Sequence, residues 1–223
     1  MAFAYRAAKL KLCASISATD AKPRNVIGNF IKMHIKQNDF VIELFPDNLF
    51  EENSSDNINC YQNIYVHNSE YQSSTKIGIK IFKNHLEIKS AIIISEGGAT
   101  GIYENSFVLN DDEILICCGC TIFCLSIPNL ELVWKTKADE ISCIEILKHK
   151  ENYIIHGELE ISKLNSNGEI LWSNSGADIF VTLNDENNLI LSDKYLTVKD
   201  FENRTYKFSY SGENLTDMNQ FKK

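Results

Sequence analysis

One pattern recurs through the second half of this chain, and it limits the fold more than any other feature. Trp134 and Trp172 are 38 residues apart, and so are Cys118-Gly119 and His156-Gly157. The leucines that open three polar turns, Leu109, Leu147 and Leu183, are spaced 38 and then 36 apart. The turns read LNDDE, LKHKEN and LNDENN. The cleanest unit runs from YII through ELEISKL to EILW, short apolar runs separated by turns. Asn167-Gly168 is a strong hairpin signal, because both central residues of a type I′ turn need positive φ. Pro128-Asn129 holds the matching place in the unit before it. The alternation slips phase near Lys163, which predicts a bulge. Tyr206 is expected to replace the tryptophan in a third unit.

Four strand-like runs in a repeat of about 40 residues are the mark of a propeller blade. One small sheet cannot bury its own face, so the aromatic closing each unit is expected to wedge against the neighbouring sheet.

The first half also reads as β. Leu10, Leu12, Ala14 and Ile16 alternate with polar or small residues. VIGNFIKMHIK and DFVIELF flank a turn at Gln37-Asn38-Asp39, and KIGIKIF and HLEIKSAIIIS flank Lys83-Asn84. The segment at 46–59 is polar and broken by Pro46, a loop. This half does not fit the 38-residue period, which leaves degenerate blades or a small sandwich. No helical periodicity extends over eleven residues. The expectation is therefore a mainly β chain. Residues 1–101 form an antiparallel β region, 102–212 three propeller-like four-stranded units, and 213–223 a tail. The glycine-rich SEGGATG at 95–101 marks the junction. It lacks the lysine-serine or lysine-threonine of a phosphate loop, so it reads as a turn between sheets.

Charge is uneven. The chain has 22 basic and 30 acidic side chains, a net charge of −8. Residues 1–110 hold 11 of each sign, so the whole acidic excess lies in the repeat half. That disfavours nucleic acid as a partner, since phosphate binding needs a basic face. No apolar run reaches the ~20 residues of a membrane span. Arg6, Lys9 and Lys11 interrupt what a signal peptide would need as its apolar segment. Of seven cysteines, four cluster at 117, 118, 120 and 124, and they read as buried thiols in a reducing, cytoplasmic setting.

Chemistry is sparsely signalled. Cys117 and Cys120 make one C-x-x-C without a second pair, so no metal site and no cofactor are expected. In an unbroken strand Cys118, Cys120 and Cys124 would share one face. His156, Glu158 and Glu160 alternate, and on one strand they would project together as a ligand or acid–base face. Asp139 and Asp178 recur after the aromatic strands, which points to turn formation.

The units GEILW, LELVW and TYKF resemble the tryptophan-docking repeat of quinoprotein-type propellers, with Gly168, Ile170 and Trp172 matching its glycine–x–apolar–x–tryptophan pattern. The resemblance implies a propeller-like fold for about half the chain and carries over no quinone-binding residue. The whole chain also resembles small uncharacterised bacterial proteins that include toxin-immunity proteins. That resemblance, with the acidic excess, implies a cytoplasmic module that binds a protein partner, a basic toxin domain. Asp111, Asp112, Glu113, Asp185 and Glu186 are the expected contacts. The alternatives are a small-ligand or metal-binding enzyme using His156, Glu158 and Glu160, and a structural subunit of a larger complex.

Overall fold

A computed structural model describes residues 32–67, 75–98, 100–182 and 188–217. The strand expected at 10–17 and the turn residues 183–187, Asp185 and Glu186 among them, lie outside the described residues. Within those residues the secondary structure is strand apart from one 3-10 turn at Glu104–Ser106. The first sheet has five strands: β1 Met33–Gln37, β2 Phe40–Pro46, β3 Asn63–Val66, β4 Thr75–Lys83 and β5 Leu86–Ser95. Their order is β1-β2-β4-β5-β3, and β3 runs parallel to β5. The second sheet is a four-stranded antiparallel meander of β6 Phe107–Leu109, β7 Glu113–Cys118, β8 Thr121–Ser126 and β9 Leu132–Lys137. The third repeats it with β10 Cys143–His149, β11 Asn152–Gly157, β12 Glu160–Leu164 and β13 Ile170–Ser175. The fourth holds β14 Leu189–Leu191, β15 Tyr195–Lys199 and β16 Thr205–Ser209. A mainly β chain with propeller-like four-stranded units is as the sequence predicts, but the expected antiparallel region before them contains one parallel pair, β3 with β5, and the last unit shows three strands among the described residues.

The sheets pack face to face in chain order, and the two-residue period of a strand decides which side chain goes where. Ile114, Ile116, Cys118, Phe123 and Leu125 of the second sheet pack against Ile79 and Ile93 of the first. The intervening Leu115, Cys117, Ile122 and Cys124 pack against Tyr153, Ile155 and Leu164 of the third. Ile154 and Ile161 then face Leu196, Val198 and Phe208 of the fourth. A sheet covered on both sides needs no polar face, which is why β7 reads EILICC without alternation. The first core spans the expected boundary at 101/102.

The strand registers fix the repeat. Ile114 pairs with Leu125, Tyr153 with Leu164 and Leu196 with Phe208. The same turn follows each: residues 126–131, 165–169 and 209–213. Its opening side chain accepts the backbone N–H of its closing glutamate, Glu131 to Ser126 Oγ at 3.1 Å, Glu169 to Asn165 Oδ1 at 3.0 Å and Glu213 to Ser209 Oγ at 3.0 Å. The residue before that glutamate is left-handed in all three: Leu130 (φ 54°), Gly168 (φ 79°) and Gly212 (φ 90°).

Several expectations are corrected here. Asn167 does not share the positive φ of Gly168. The turn is a longer loop with a glycine bulge rather than type I′, and the register shift between Lys163 and Leu164 is the predicted bulge. The turn of the second sheet is one residue longer than that of the third. The spacing is therefore 39 before the turn and 38 after it, so Cys117, not Cys118, is the counterpart of His156. They sit opposite Ile122 and Ile161 respectively. Tyr206 lies on β16, the third strand of its sheet, and not in the tryptophan position. The bridge from Phe208 to Asn214 repeats the pairing of Leu164 with Ile170, which puts Thr216 where Trp172 stands one unit earlier. Thr216 Oγ1 accepts the Lys207 N–H at 2.9 Å, so the start of the expected tail is paired to β16.

Both tryptophans do the same work. Trp134 Nε1 donates to Ser166 O at 3.1 Å, and Trp172 Nε1 donates to Tyr210 O at 3.2 Å. Each indole lies against the left-handed glycine of the next sheet's turn, Gly168 for Trp134 and Gly212 for Trp172. Two residues on, Thr136 and Asn174 donate to the carbonyls of those glycines, at 2.6 and 3.0 Å. The first sheet supplies the same dock with Tyr65 on β3. Its hydroxyl donates to Leu130 O at 2.9 Å and accepts the Leu132 N–H at 3.2 Å. The first sheet thus docks on the second sheet's turn as the second docks on the third's. Its docking strand precedes β4 in the chain and runs parallel to β5, which hides it from a search by period.

Phe50 and Tyr61, from the loop after β2, cover the far face of the first sheet with ring centroids 5.3 Å apart. The far face of the fourth sheet carries the polar side chains of Thr197, Lys199 and Lys207. Cys117, Cys118, Cys120, Cys124 and Cys143 are buried free thiols.

Candidate functional site

Antiparallel meanders place every second turn at one edge of the stack. That edge gathers the turns at 110–112, 126–131, 150–151, 165–169, 192–194 and 209–213. Asp111, Asp112, Glu131, Glu151, Glu169, Asp193 and Glu213 are exposed there, against Lys150 and Lys194. The edge is acidic because the turns that close these sheets favour polar acceptors, and the strands between them are committed to two apolar faces.

The turn at 110–112 is held firmly beneath its carboxylates. Asn110 N donates to Glu113 O at 2.9 Å, and Ile127 N donates to Asp112 O at 2.7 Å. Gln37 Nε2, from the first sheet, donates to Asn110 O at 2.9 Å. The Asn110 side chain donates to Tyr153 Oη at 2.8 Å and accepts from Lys148 Nζ at 3.0 Å, both in the third sheet. Glu113 opens β7 and is half-buried. Asp111 and Asp112 are therefore presented on a fixed frame spanning three sheets, a pre-organised charged surface.

His156, Glu158 and Glu160 do not share a strand. His156 is on β11, Glu160 opens β12, and the chain reverses between them. His156 is 2% exposed. Its Nε2 donates to Phe180 O at 2.7 Å, and its Nδ1 lies 3.2 Å from Glu145 Oε2. Both ring nitrogens face acceptors: Nε2 joins the third sheet to the segment entering the fourth, and Nδ1 faces the paired residue Glu145 within the third sheet. The hydrogen bond from His156 holds the Glu145 carboxyl below the usual carboxylate range, against the opposing effect of burial. Glu158 accepts from Ser142 Oγ at 3.2 Å, and Glu160 accepts from Ser173 Oγ at 2.6 Å.

Asp139 forms turns, as its recurrence predicts. Its Oδ1 accepts from Ile141 N at 2.6 Å and Ser142 N at 3.0 Å. Its Oδ2 accepts from Leu159 N at 2.8 Å and Glu160 N at 2.9 Å. Asp178 accepts the Ile179 N–H at 2.8 Å and pairs with Arg204 at 3.5 Å.

The cysteines divide by strand. Cys117 and Cys124 face the third sheet beside Cys143, Cys118 faces the first, and Cys120 sits in the turn. The reversal at Gly119 breaks the alternation that would have put Cys118, Cys120 and Cys124 together. Burial pushes the thiols of Cys117, Cys118 and Cys143 far up, which makes them poor nucleophiles and suits them to packing.

Sequence reading missed one constellation. His67, Glu96 and Cys120 come together at the opposite edge, with their donor atoms all within 4.8 Å of one another. They lie after β3, after β5 and in the β7–β8 turn. Only the pairing of β3 with β5 and the docking of the first two sheets bring them together, so no local motif announces them.

No protein-family model matches the chain, and no curated protein matches it in sequence. Similar solved structures include BamB from Moraxella catarrhalis, at 11% identity over 88% of this chain and 63% of that one, with a TM-score of 0.45. The AfRom2 CNH domain is 10% identical over 90% of this chain and 59% of its own, with a TM-score of 0.45. HIRA(644-1017) is 8% identical over 91% and 59%, with a TM-score of 0.43. The chain thus spans about three fifths of the length of these solved chains. Its repeat architecture rests on the strand registers, the recurring turn and the docked rings, and those are the features on which any function must be built.

Proposed function

We propose that this chain is a protein-binding module whose acidic turn edge covers a basic partner, a toxin domain neutralised by occlusion. The observation that carries the reading is the edge itself: seven exposed carboxylates on its turns, against Lys150 and Lys194 in the turns and Lys148 and Lys163 reaching them from the strands, on a braced framework. Like-signed groups on a fixed frame speed encounter with an oppositely charged surface and disfavour the wrong partner. Asp111 and Asp112 stand where the frame is tied to the first and third sheets. Asp185 and Glu186, outside the described residues, belong to the connection before β14, whereas the counterpart of the 110–112 turn in the fourth sheet is 192–194.

The test is affinity capture from the native host with mass spectrometry, then binding measured with the captured protein over a range of salt. Reversing Asp111, Asp112, Asp185 and Glu186 to lysine should slow association by roughly tenfold or more and flatten its salt dependence. Unchanged association and salt dependence with every captured partner would remove the acidic edge as the binding surface.

A further inference from the structure

The seam between the first two sheets differs from the next seam in one respect. At the second seam, the Asp139 carboxylate is used up in fixing backbone: it takes the N–H groups of Leu159 and Glu160 at the β11–β12 turn. At the first seam, the equivalent β7–β8 turn is fixed by other groups. Thr100 Oγ1 accepts the Gly119 N–H at 2.8 Å, and the backbone carbonyl of Glu96 accepts the Cys120 N–H at 3.0 Å. Gly119 has φ +56°, and a Cβ there would collide with that carbonyl, so glycine is what allows the turn to sit so close. The Glu96 side chain is thereby spared the structural task that Asp139 performs.

That carboxylate is aimed at two further donors. Glu96 Oε1 lies 4.0 Å from His67 Nε2 and 4.0 Å from Cys120 Sγ. At 4.0 Å the imidazole contact is too long for a direct hydrogen bond. His67 is held by its own N–H, which donates to Ile94 O at 2.8 Å and continues the β3–β5 pairing. Cys120 is fully buried, and Ser95 Oγ lies 3.7 Å from its sulfur, a partner that orients the thiol. Three rigid backbone positions thus present one sulfur, one nitrogen and one oxygen to a common point.

We propose that His67, Glu96 and Cys120 bind a single zinc-type divalent cation at the seam of the first and second sheets. The mixed donor set suits a borderline-soft ion. Bonds of about 2.0–2.3 Å in a tetrahedral arrangement put ligand atoms roughly 3.3–3.8 Å apart, so side-chain adjustments of up to about 1 Å close the site. Thiolate and carboxylate together neutralise the ion. Three protein ligands leave one position for water or an external ligand. The site stands apart from the acidic edge, at the opposite end of the strands.

The experiment is titration of the purified, chelator-stripped full chain with zinc chloride, and separately with cobalt chloride followed by absorption. The expected result is one equivalent of metal and a sulfur-to-cobalt charge-transfer band. His67→Gln and Cys120→Ser should each weaken zinc binding by at least the ~10–100-fold lost when an outer hydrogen bond to a ligand is removed. Cys124→Ser, on the face toward the third sheet, should leave it unchanged. Circular dichroism checks the strand content of each variant. If Cys120→Ser does not fold, Glu96→Gln and His67→Gln carry the test at the partly exposed ligands. Failure to bind one equivalent, absence of the sulfur band, or affinity unaffected by the ligand substitutions would overturn the proposal.

Discussion

Gly168→Ala isolates the contact that joins one sheet to the next. The residue has φ +79°, where a side chain costs about 1–2 kcal/mol. The added Cβ would also strike the Trp134 ring, approaching Cδ2 at 2.5 Å. Displacing a packed ring typically costs about 1–3 kcal/mol. The two effects together predict a loss of about 2–5 kcal/mol. They separate in a double-mutant cycle: with Trp134→Ala already present, the collision disappears and only the backbone cost of ~1–2 kcal/mol remains. The coupling between the two sites should be about 1–3 kcal/mol, read from urea unfolding followed by far-ultraviolet circular dichroism. Gly101→Ala is the control, because its Cβ would meet Tyr103 at an ordinary 3.6 Å. A Gly168→Ala penalty below about 0.5 kcal/mol, or additivity with Trp134→Ala, would refute the docking geometry.

Other substitutions probe other links. Asp139→Ala strips an acceptor from four backbone N–H groups at a buried turn, so unfolding should become easier by about 3 kcal/mol or more, with Asp139→Asn costing less. Glu145 titrates below its unfolded-state value because of His156, so its stabilisation is present above about pH 4.3 and is lost as pH falls through the lower folded-state value. The stability gap between the parent and Glu145→Gln should accordingly narrow in acid, and a gap independent of pH would contradict that reading. Tyr65→Phe removes the hydroxyl shared by Leu130 O and Leu132 N and should cost about 1–2 kcal/mol in thermal or urea unfolding.

Much of this architecture is legible in the residues. Trp134 and Trp172 mark equivalent positions because the ring needs a glycine turn in the following sheet, and Gly168 supplies it. Asp139 is readable as a turn former for the same local reason. What escapes the sequence is what depends on register or on distant strands. A one-residue difference between the turns at 126–131 and 165–169 shifts the match of His156 from Cys118 to Cys117, and in a sheet such a slip changes the face. His156, Glu158 and Glu160 look like a strand face only until the reversal at 158–159 is seen. The Tyr65 dock has no period to betray it, since β3 reaches the second sheet from an earlier part of the chain. His67, Glu96 and Cys120 meet only after the first two sheets have packed.

The most direct measurement is nuclear magnetic resonance of the Hα protons of Gly168 and Gly212. Ring-current-shifted resonances for both, with cross-relaxation from Gly168 to the Trp134 indole and from Gly212 to the Trp172 indole, are predicted. Ordinary shifts at either glycine, or an indole that shows no contact with the next sheet's turn, would contradict the stack of docked sheets.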